Sequence, residues 1–245
     1  LYESLKDNFK RFVTLNTPIE DFEKYYKDLN FKILFSSISE SIEDENTVKL
    51  LQHIANEAGY ITDFEYMEDV EFSNDGISKK DKIFEFWFKL IPWEDIAIDE
   101  GELAVLLTDI INNKKAIIVN PAYTVMFQSK GFMKILWDLY PNHPLLLETS
   151  FEPLNSKKQV EKMCFGREGA NTAIINADNS LEIKTDGEYD NFKPIYQEYV
   201  EFPKDNNGDF YQAGVFYAYE ACGLGFRKGG IILDNYSKFV GHIVK

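Results

Sequence analysis

A strand, a helix and a second strand follow one another within about 35 residues near the start of this 245-residue chain, and no other feature constrains its fold as much. Phe31–Phe35 is a short apolar run of strand character. Ser36–Ser41 reads as a Ser-rich turn. Asp44 or Asn46 can cap the helix that follows, which stops at Gly59, and Tyr60–Phe64 is the next strand. Two strands joined through a helix pair in parallel, so the first part of the chain is expected to build a parallel α/β sheet.

The neighbouring segments fit that expectation. Leu1, Leu5, Phe9, Phe12 and Val13 recur at helical spacing. Pro18 ends or redirects this helix, and Ile19–Leu29 can resume it. Ile83–Leu90 fits either a strand or the start of a helix. Ile96–Ile111 reads as a helix, Ala116–Val119 as a short buried strand, and Pro121 opens a helical run through Trp137 and Leu139. After Pro141 the texture changes to short strands divided by turn signals at Asp178–Asn179, Asp186–Gly187, Asn206–Gly208 and Gly229–Gly230. The strand candidates there are Gln159–Phe165, Thr172–Ile175, Leu181–Ile183, Pro194–Tyr199, Tyr211–Tyr219 and Gly230–Leu233.

Charge divides the chain in the same way. The formal charge is −15, yet residues 1–110 hold 11 Lys or Arg against 25 Asp or Glu, whereas residues 111–245 hold 15 against 16. An acidic chain of this kind is not expected to bind nucleic acid non-specifically. No apolar run approaches the roughly 18 residues of a membrane helix, so no membrane partner is expected. Two cysteines, Cys164 and Cys222, build no disulfide framework and read as free thiols in a reducing, cytoplasmic setting. His53, His143 and His242 are too scattered in sequence to suggest a metal set.

Three segments carry candidate chemistry. In Lys162–Asn171, a strand bearing a lysine enters a Gly-x-x-Gly turn with one arginine: Gly166, Arg167, Glu168, Gly169, then Ala170 and Asn171. Glycines let a backbone approach a ligand closely, successive N–H groups can form an anion nest, and Lys162 and Arg167 add positive charge. Taken alone, the pattern fits an ordinary hairpin turn with solvated charges equally well. In Pro194–Val200, an edge of backbone amides could pair with adenine, with Glu198 taking its exocyclic amino group; a plain antiparallel strand is the simpler account. In Ala221–Arg227, glycines precede Arg227, one of only three arginines in the chain. Arginine suits bidentate recognition of oxygens, while a β-bulge followed by a surface arginine explains the same residues.

Together these segments resemble the synthetase part of glutathionylspermidine synthase, an ATP-grasp carboxylate–amine ligase, and are most like the shorter relatives that lack the amidase domain. The resemblance is carried by KMCFGREGAN (Lys162–Asn171), IYQEY (Ile195–Tyr199), YQAGVFYAYEACGLGFR (Tyr211–Arg227) and SKFVGHIV (Ser237–Val244). IPWE (Ile91–Glu94), NPAY (Asn120–Tyr123) and the run Ser129–Phe151 fit as well.

The fold so implied is α/β and α+β: a pre-ATP-grasp parallel α/β layer over 1–125, then an ATP-grasp nucleotide-binding region over 126–245. Lys130 and Lys162 match lysines that contact nucleotide phosphates, and Gly166, Arg167, Glu168, Gly169, Ala170 and Asn171 match a mobile loop over the triphosphate. Gln197, Glu198, Tyr199 and Val200 match the adenine-pairing linker, and Arg227 matches an arginine beside the transferred phosphoryl group. Lys162 and Arg227 are the expected catalytic pair.

The resemblance implies ADP-forming amide synthesis through an acyl phosphate, with ATP and magnesium as cofactors. Its expected partners are a small carboxylate and an amine, such as glutathione and a polyamine. Relatives hold magnesium with an acidic Glu-x-Asn-Ala-Asp segment and a preceding Arg-x-Asp, and this chain contains no equivalent. No metal ligand is therefore assigned to it. Together with the start at Leu1, this leads to the expectation of a piece whose fold is incomplete at the N-terminus and whose magnesium ligands lie upstream. A nucleotide-binding module without ligase activity is the competing expectation.

Overall fold

The computed structural model describes residues 1–16 and 32–243. The expected break at Pro18, the helix 19–29, and the ends of two motifs at Phe31 and Val244 lie outside these residues. The described chain divides into two compact units, one of 1–125 with 217–222 and the other of 126–216 with 223–245.

The first unit opens with helix α1 (Tyr2–Asn16) and continues with strand β1 (Lys32–Ser37), helix α2 (Ile42–Glu57) and strand β2 (Ile61–Tyr66). A meander of β3 (Glu71–Ser73), β4 (Gly76–Lys79) and β5 (Lys82–Phe84) follows. Then come β6 (Phe86–Lys89), α3 (Trp93–Asp99), α4 (Gly101–Asn112) and β7 (Ile117–Ile118). The order β2-β1-β6-β7 is parallel throughout, as the strand–helix–strand spacing requires.

Alternation along β1 builds a core on each face of this sheet. Leu34, with Trp87 of β6, faces Trp93, Ile96, Leu107 and Ile110 of α3 and α4 and the meander residues Ile77 and Phe84. Ile33 and Phe35, with Phe86, face Val48 and Ala55 of α2, and Phe9 of α1 packs against that cluster.

Several boundaries differ from the sequence expectation, each for a local reason. Ser36 and Ser37 are strand rather than turn: they pair with Glu65 and Tyr66, and the buried Ser36 Oγ accepts from Trp87 Nε1 at 3.0 Å. The cap of α2 is Ser41, whose Oγ accepts from the Asp44 amide at 3.3 Å; Asp44 is three residues inside. Ile83–Leu90 is two strands, divided at Glu85. Ile96–Ile111 is two helices, because Glu100 leaves the helical region at φ −123° and Gly101 restarts it. The turn Asn74–Asp75–Gly76, with Gly76 at φ +137°, makes a hairpin the sequence reading missed.

The second unit contains a helical turn Val125–Gln128, whose first residue closes the first unit, then α5 (Gly131–Leu139). The helical run expected from Pro121 is interrupted at Ser129–Lys130. Its strands are β8 (Thr149–Ser150), β9 (Gln159–Met163), β10 (Ala173–Ile175), β11 (Leu181–Lys184), β12 (Pro194–Glu198), β13 (Phe210–Ala218), β14 (Glu220–Gly229) and β15 (Lys238–Val240), of which the end of β13 and the start of β14, within 217–222, are counted with the first unit. The first five form an antiparallel sheet in the order β11-β10-β9-β12-β8, and the last three a second sheet. Residues 230–233, expected as a strand, are irregular; the strand is β14 just before them. Among the described residues no helix is long and apolar enough to cross a membrane.

Candidate functional site

The face of β9 and β12 determines what the second unit can hold. Alternation turns Val160 and Lys162 of β9 and Gln197 of β12 to one side, where β10 adds Ile174. These side chains floor a cleft of about 460 Å³. The loop from Gly166 to Ala170 covers one flank, residues 198–200 and Phe202 form a second, Ile231–Leu233 a third, and Lys130 enters beside the loop. Lys130, Lys162, Gly166, Arg167, Glu168, Gly169, Ala170, Gln197, Glu198, Tyr199 and Val200 are thus brought together. Asn171 and Arg227 are not among the lining residues.

The loop owes its shape to consecutive left-handed residues. Glu168 and Gly169 have φ of 54° and 70°, and the Ala170 amide closes the turn onto Arg167 O at 2.8 Å. The amides of Gly166 and Asn171 donate to Met163 O and Asp186 O. These three amides are therefore committed within the chain, so the expected anion nest cannot include them.

Asn171 acts beneath the loop. It is 4% exposed; its Nδ2 donates to Asp190 Oδ1 at 2.6 Å and to Gly187 O at 3.3 Å, and its Oδ1 accepts from the Tyr189 amide at 2.9 Å. Lys130 ties the entry to the loop twice, through its amide to Cys164 O at 2.8 Å and through Nζ to Gly166 O.

The cations are held at a cost in solvation. Burial, and secondarily the charge of Lys130, lowers the Lys162 ammonium to about 8. Its Nζ donates to Gln197 Oε1 at 2.9 Å. Burial also lowers Lys130, with Arg167 adding repulsion and Cys164 acting in the opposite direction. An anion entering the cleft would relieve both lysines.

The flank beyond β12 differs from the expected open edge. β12 lies between β9 and β8, and the amides of Glu198 and Tyr199 already donate to Glu148 O at 2.9 Å and Lys158 O at 3.0 Å. The Glu198 carboxylate is 3.8 Å from Lys157 Nζ. Arg227 is partly buried on β14. Its Nη2 donates to Asp234 O at 3.1 Å, its guanidinium lies over Phe239, and its buried Nε has no hydrogen-bond partner among the described residues.

Sequence reasoning missed Leu147, Val160, Met163, Thr172, Ile174, Phe202, Gln212 and Ile231–Leu233 as lining residues. Strand alternation from Lys162 would have found Val160; nothing local marked Gln212. Among the described residues no three His, Cys, Asp or Glu side chains gather to hold a metal ion. A cleft whose buried charges are Lys130 and Lys162 does not fit magnesium by itself.

A provisionally named acid–amine ligase of Haemophilus influenzae is 29% identical over 214 residues, covering 82% of this chain and 53% of that protein. The bifunctional glutathionylspermidine synthetase/amidase of Escherichia coli is 31% identical over 103 residues, covering 41% of this chain and 17% of that protein. The chain thus spans about half the length of the first relative and a smaller share of the second. A crystal structure of the D-cycloserine synthetase DcsG aligns over 86% of this chain and 75% of its own, with a TM-score of 0.43 and 10% identity. The family assignment stands on sequence and not on that likeness: residues 1–245 match the glutathionylspermidine synthase preATP-grasp family, to which this chain belongs.

Proposed function

We propose that the chain is part of an ATP-dependent acid–amine ligase of the glutathionylspermidine synthase type, and that the cleft of the second unit receives ATP in an ATP-grasp arrangement. The observation that carries this reading is the convergence of two desolvated lysines, Lys130 and Lys162, on one cleft beneath a Gly-x-x-Gly loop. Such a site is electrostatically incomplete until a polyanion enters it. The ligase class of two relatives and the family membership support the same reading.

ATP would supply the phosphoryl group that activates a carboxylate for attack by an amine, giving amide, ADP and phosphate. In this reading Lys130 and Lys162 neutralise phosphate oxygens, and the loop 166–170 covers the chain of phosphates and excludes water. Val160, Ile174, Leu147 and Phe202 offer an apolar bed for a base, with Tyr199 and Val200 beside it. Arg227 is the proposed stabiliser of the transferred phosphoryl group. It holds Asp234 O through Nη2, and its Nε has no hydrogen-bond partner among the described residues. No step is assigned to magnesium on the residues described.

The carboxylate and amine are proposed to be small molecules of the glutathione and polyamine kind. Calorimetric titration of the chain with ATP tests the site, with micromolar-to-millimolar binding expected; no heat and no competition by ADP would remove the reading. An ADP-release screen of the whole protein against carboxylate and amine pairs tests the reaction.

A further inference from the structure

The cation on the cleft floor has a support to which the sequence reading assigned no role. Thr149, on β8, is 1% exposed and is the register partner of Gln197 on β12. Its hydroxyl donates to Leu147 O at 3.0 Å, which leaves it an acceptor toward Gln197, whose Nε2 donates to it at 3.1 Å. The direction of the amide is thereby fixed: nitrogen toward Thr149, oxygen toward Lys162, whose Nζ donates to Gln197 Oε1 at 2.9 Å. The two ends of a carboxamide have nearly the same shape. Without the hydroxyl, the reversed amide fits the same space and turns its N–H groups on the ammonium.

We propose that Thr149 is a positioning residue that acts through Gln197 to hold the Lys162 ammonium ready for a phosphate chain. The proposal rests on the reading of the cleft as an ATP site, but the relay itself is a property of the empty chain. Charged groups lining the same cleft are Lys130 at the start of α5, Arg167 and Glu168 on the loop, and Glu198 at the end of β12. Gln197 is the neutral side chain that accepts from Lys162. Losing it would leave a partly buried ammonium facing the charge of Lys130, and its titration would move to lower pH.

Two measurements separate the relay from the function. In the nucleotide-free chain, competitive acetylation followed by mass spectrometry gives the titration midpoint of Lys162 as a function of pH. Calorimetry gives ATP affinity. Thr149→Val is expected to lower the midpoint and to weaken ATP by about tenfold, the scale of one hydrogen bond to a charged group. Thr149→Ser, which keeps the hydroxyl, is expected to preserve both. In a Gln197→Met background, Thr149→Val should shift the midpoint no further, because the link is already cut.

Thr149→Ala, which removes the hydroxyl without added bulk, carries the test should the valine chain not fold. An unshifted midpoint in either folded variant overturns the proposal, as does a serine variant as impaired as the valine one. A wild-type chain that binds no ATP removes the functional reading, while the acetylation midpoints still decide the role of Thr149.

Discussion

A Cβ placed on Gly169 would lie 2.5 Å from the carbonyl oxygen of Leu233 and 2.8 Å from Ile232 Cγ2, so the loop and the wall 231–233 meet where only glycine fits. Gly169 also has φ +70°, a conformation that costs a residue with a side chain about 1–3 kcal/mol. Gly169→Ala should therefore lower the melting temperature and push the loop off the wall. ATP affinity should fall more than a stability loss alone explains, since the folded fraction stays near one. A variant with wild-type affinity would show that the loop's contact with the wall is unrelated to binding.

The depressed Lys162 ammonium gives ATP binding a signed pH dependence. The group titrates at about 8 in the empty cleft. A bound polyanion favours its charged form, so its pKa rises in the complex and a proton is taken up around and above pH 8. Affinity should be flat below pH 7 and fall by up to about tenfold per unit above pH 8. Calorimetry in buffers of different ionisation enthalpy counts the proton. Lys162→Ala should weaken ATP about tenfold or more at pH 7 and reduce the uptake to the share that Lys130 contributes. A chain that binds ATP with no proton uptake at pH 8.5 would remove Lys162 from the phosphate contacts.

How far the sequence carried the fold depends on the range of the forces involved. The parallel sheet was legible because strand–helix–strand spacing leaves no other pairing, and because β1 carries its core residues without interruption from Ile33 to Phe35. The extension through Ser36 and Ser37 was not. Serine is a turn former locally, and only the Trp87 indole and the neighbouring strands make it strand. At the cleft, Lys162 and the Gly-x-x-Gly turn were visible as residue types. The commitment of the Glu198 and Tyr199 amides to Glu148 and Lys158 was invisible, since both partners come from distant or separately folded segments. Thr149 was equally hidden: its role exists only because β8 lies beside β12.

Lys89 makes a separate prediction about stability. It is fully buried in the first unit, its Nζ donates to Ile91 O at 2.6 Å and stands 4.1 Å from the centre of the Trp93 ring. Burial lowers it to about 8 despite the opposing charges of Glu94 and Asp95. The folded pKa lies below the unfolded one, so between about pH 8 and 10 the unfolded chain binds more protons and stability rises with pH. Replacing a buried ammonium by an apolar side chain of similar volume is often neutral or stabilising. Lys89→Met should thus unfold at the same or higher urea concentration at pH 7, and the rise toward pH 9.5 should be shallower than in the wild type. A marked loss at pH 7 would show that Trp93 and the Ile91 carbonyl fully compensate the charge.

Arg227 separates a strut from a catalytic cation. Its Nη2 holds Asp234 O, and Asp234 is itself fixed by its amide to Ser237 Oγ at 3.0 Å, so the wall 231–234 depends on this side chain. A strut lost by Arg227→Met would loosen the wall against every ligand, and ADP and ATP would weaken alike. A guanidinium that reaches the terminal phosphoryl group, as proposed, is felt by ATP and not by ADP. The expected result is therefore a loss of about tenfold for ATP, the size of one charged hydrogen bond, against a smaller loss for ADP. Arg227→Lys should recover little, because an ammonium cannot span two oxygens as a guanidinium does. Equal losses for the two nucleotides would assign Arg227 to the wall alone, and the phosphoryl group would then depend on Lys130 and Lys162 for its positive charge.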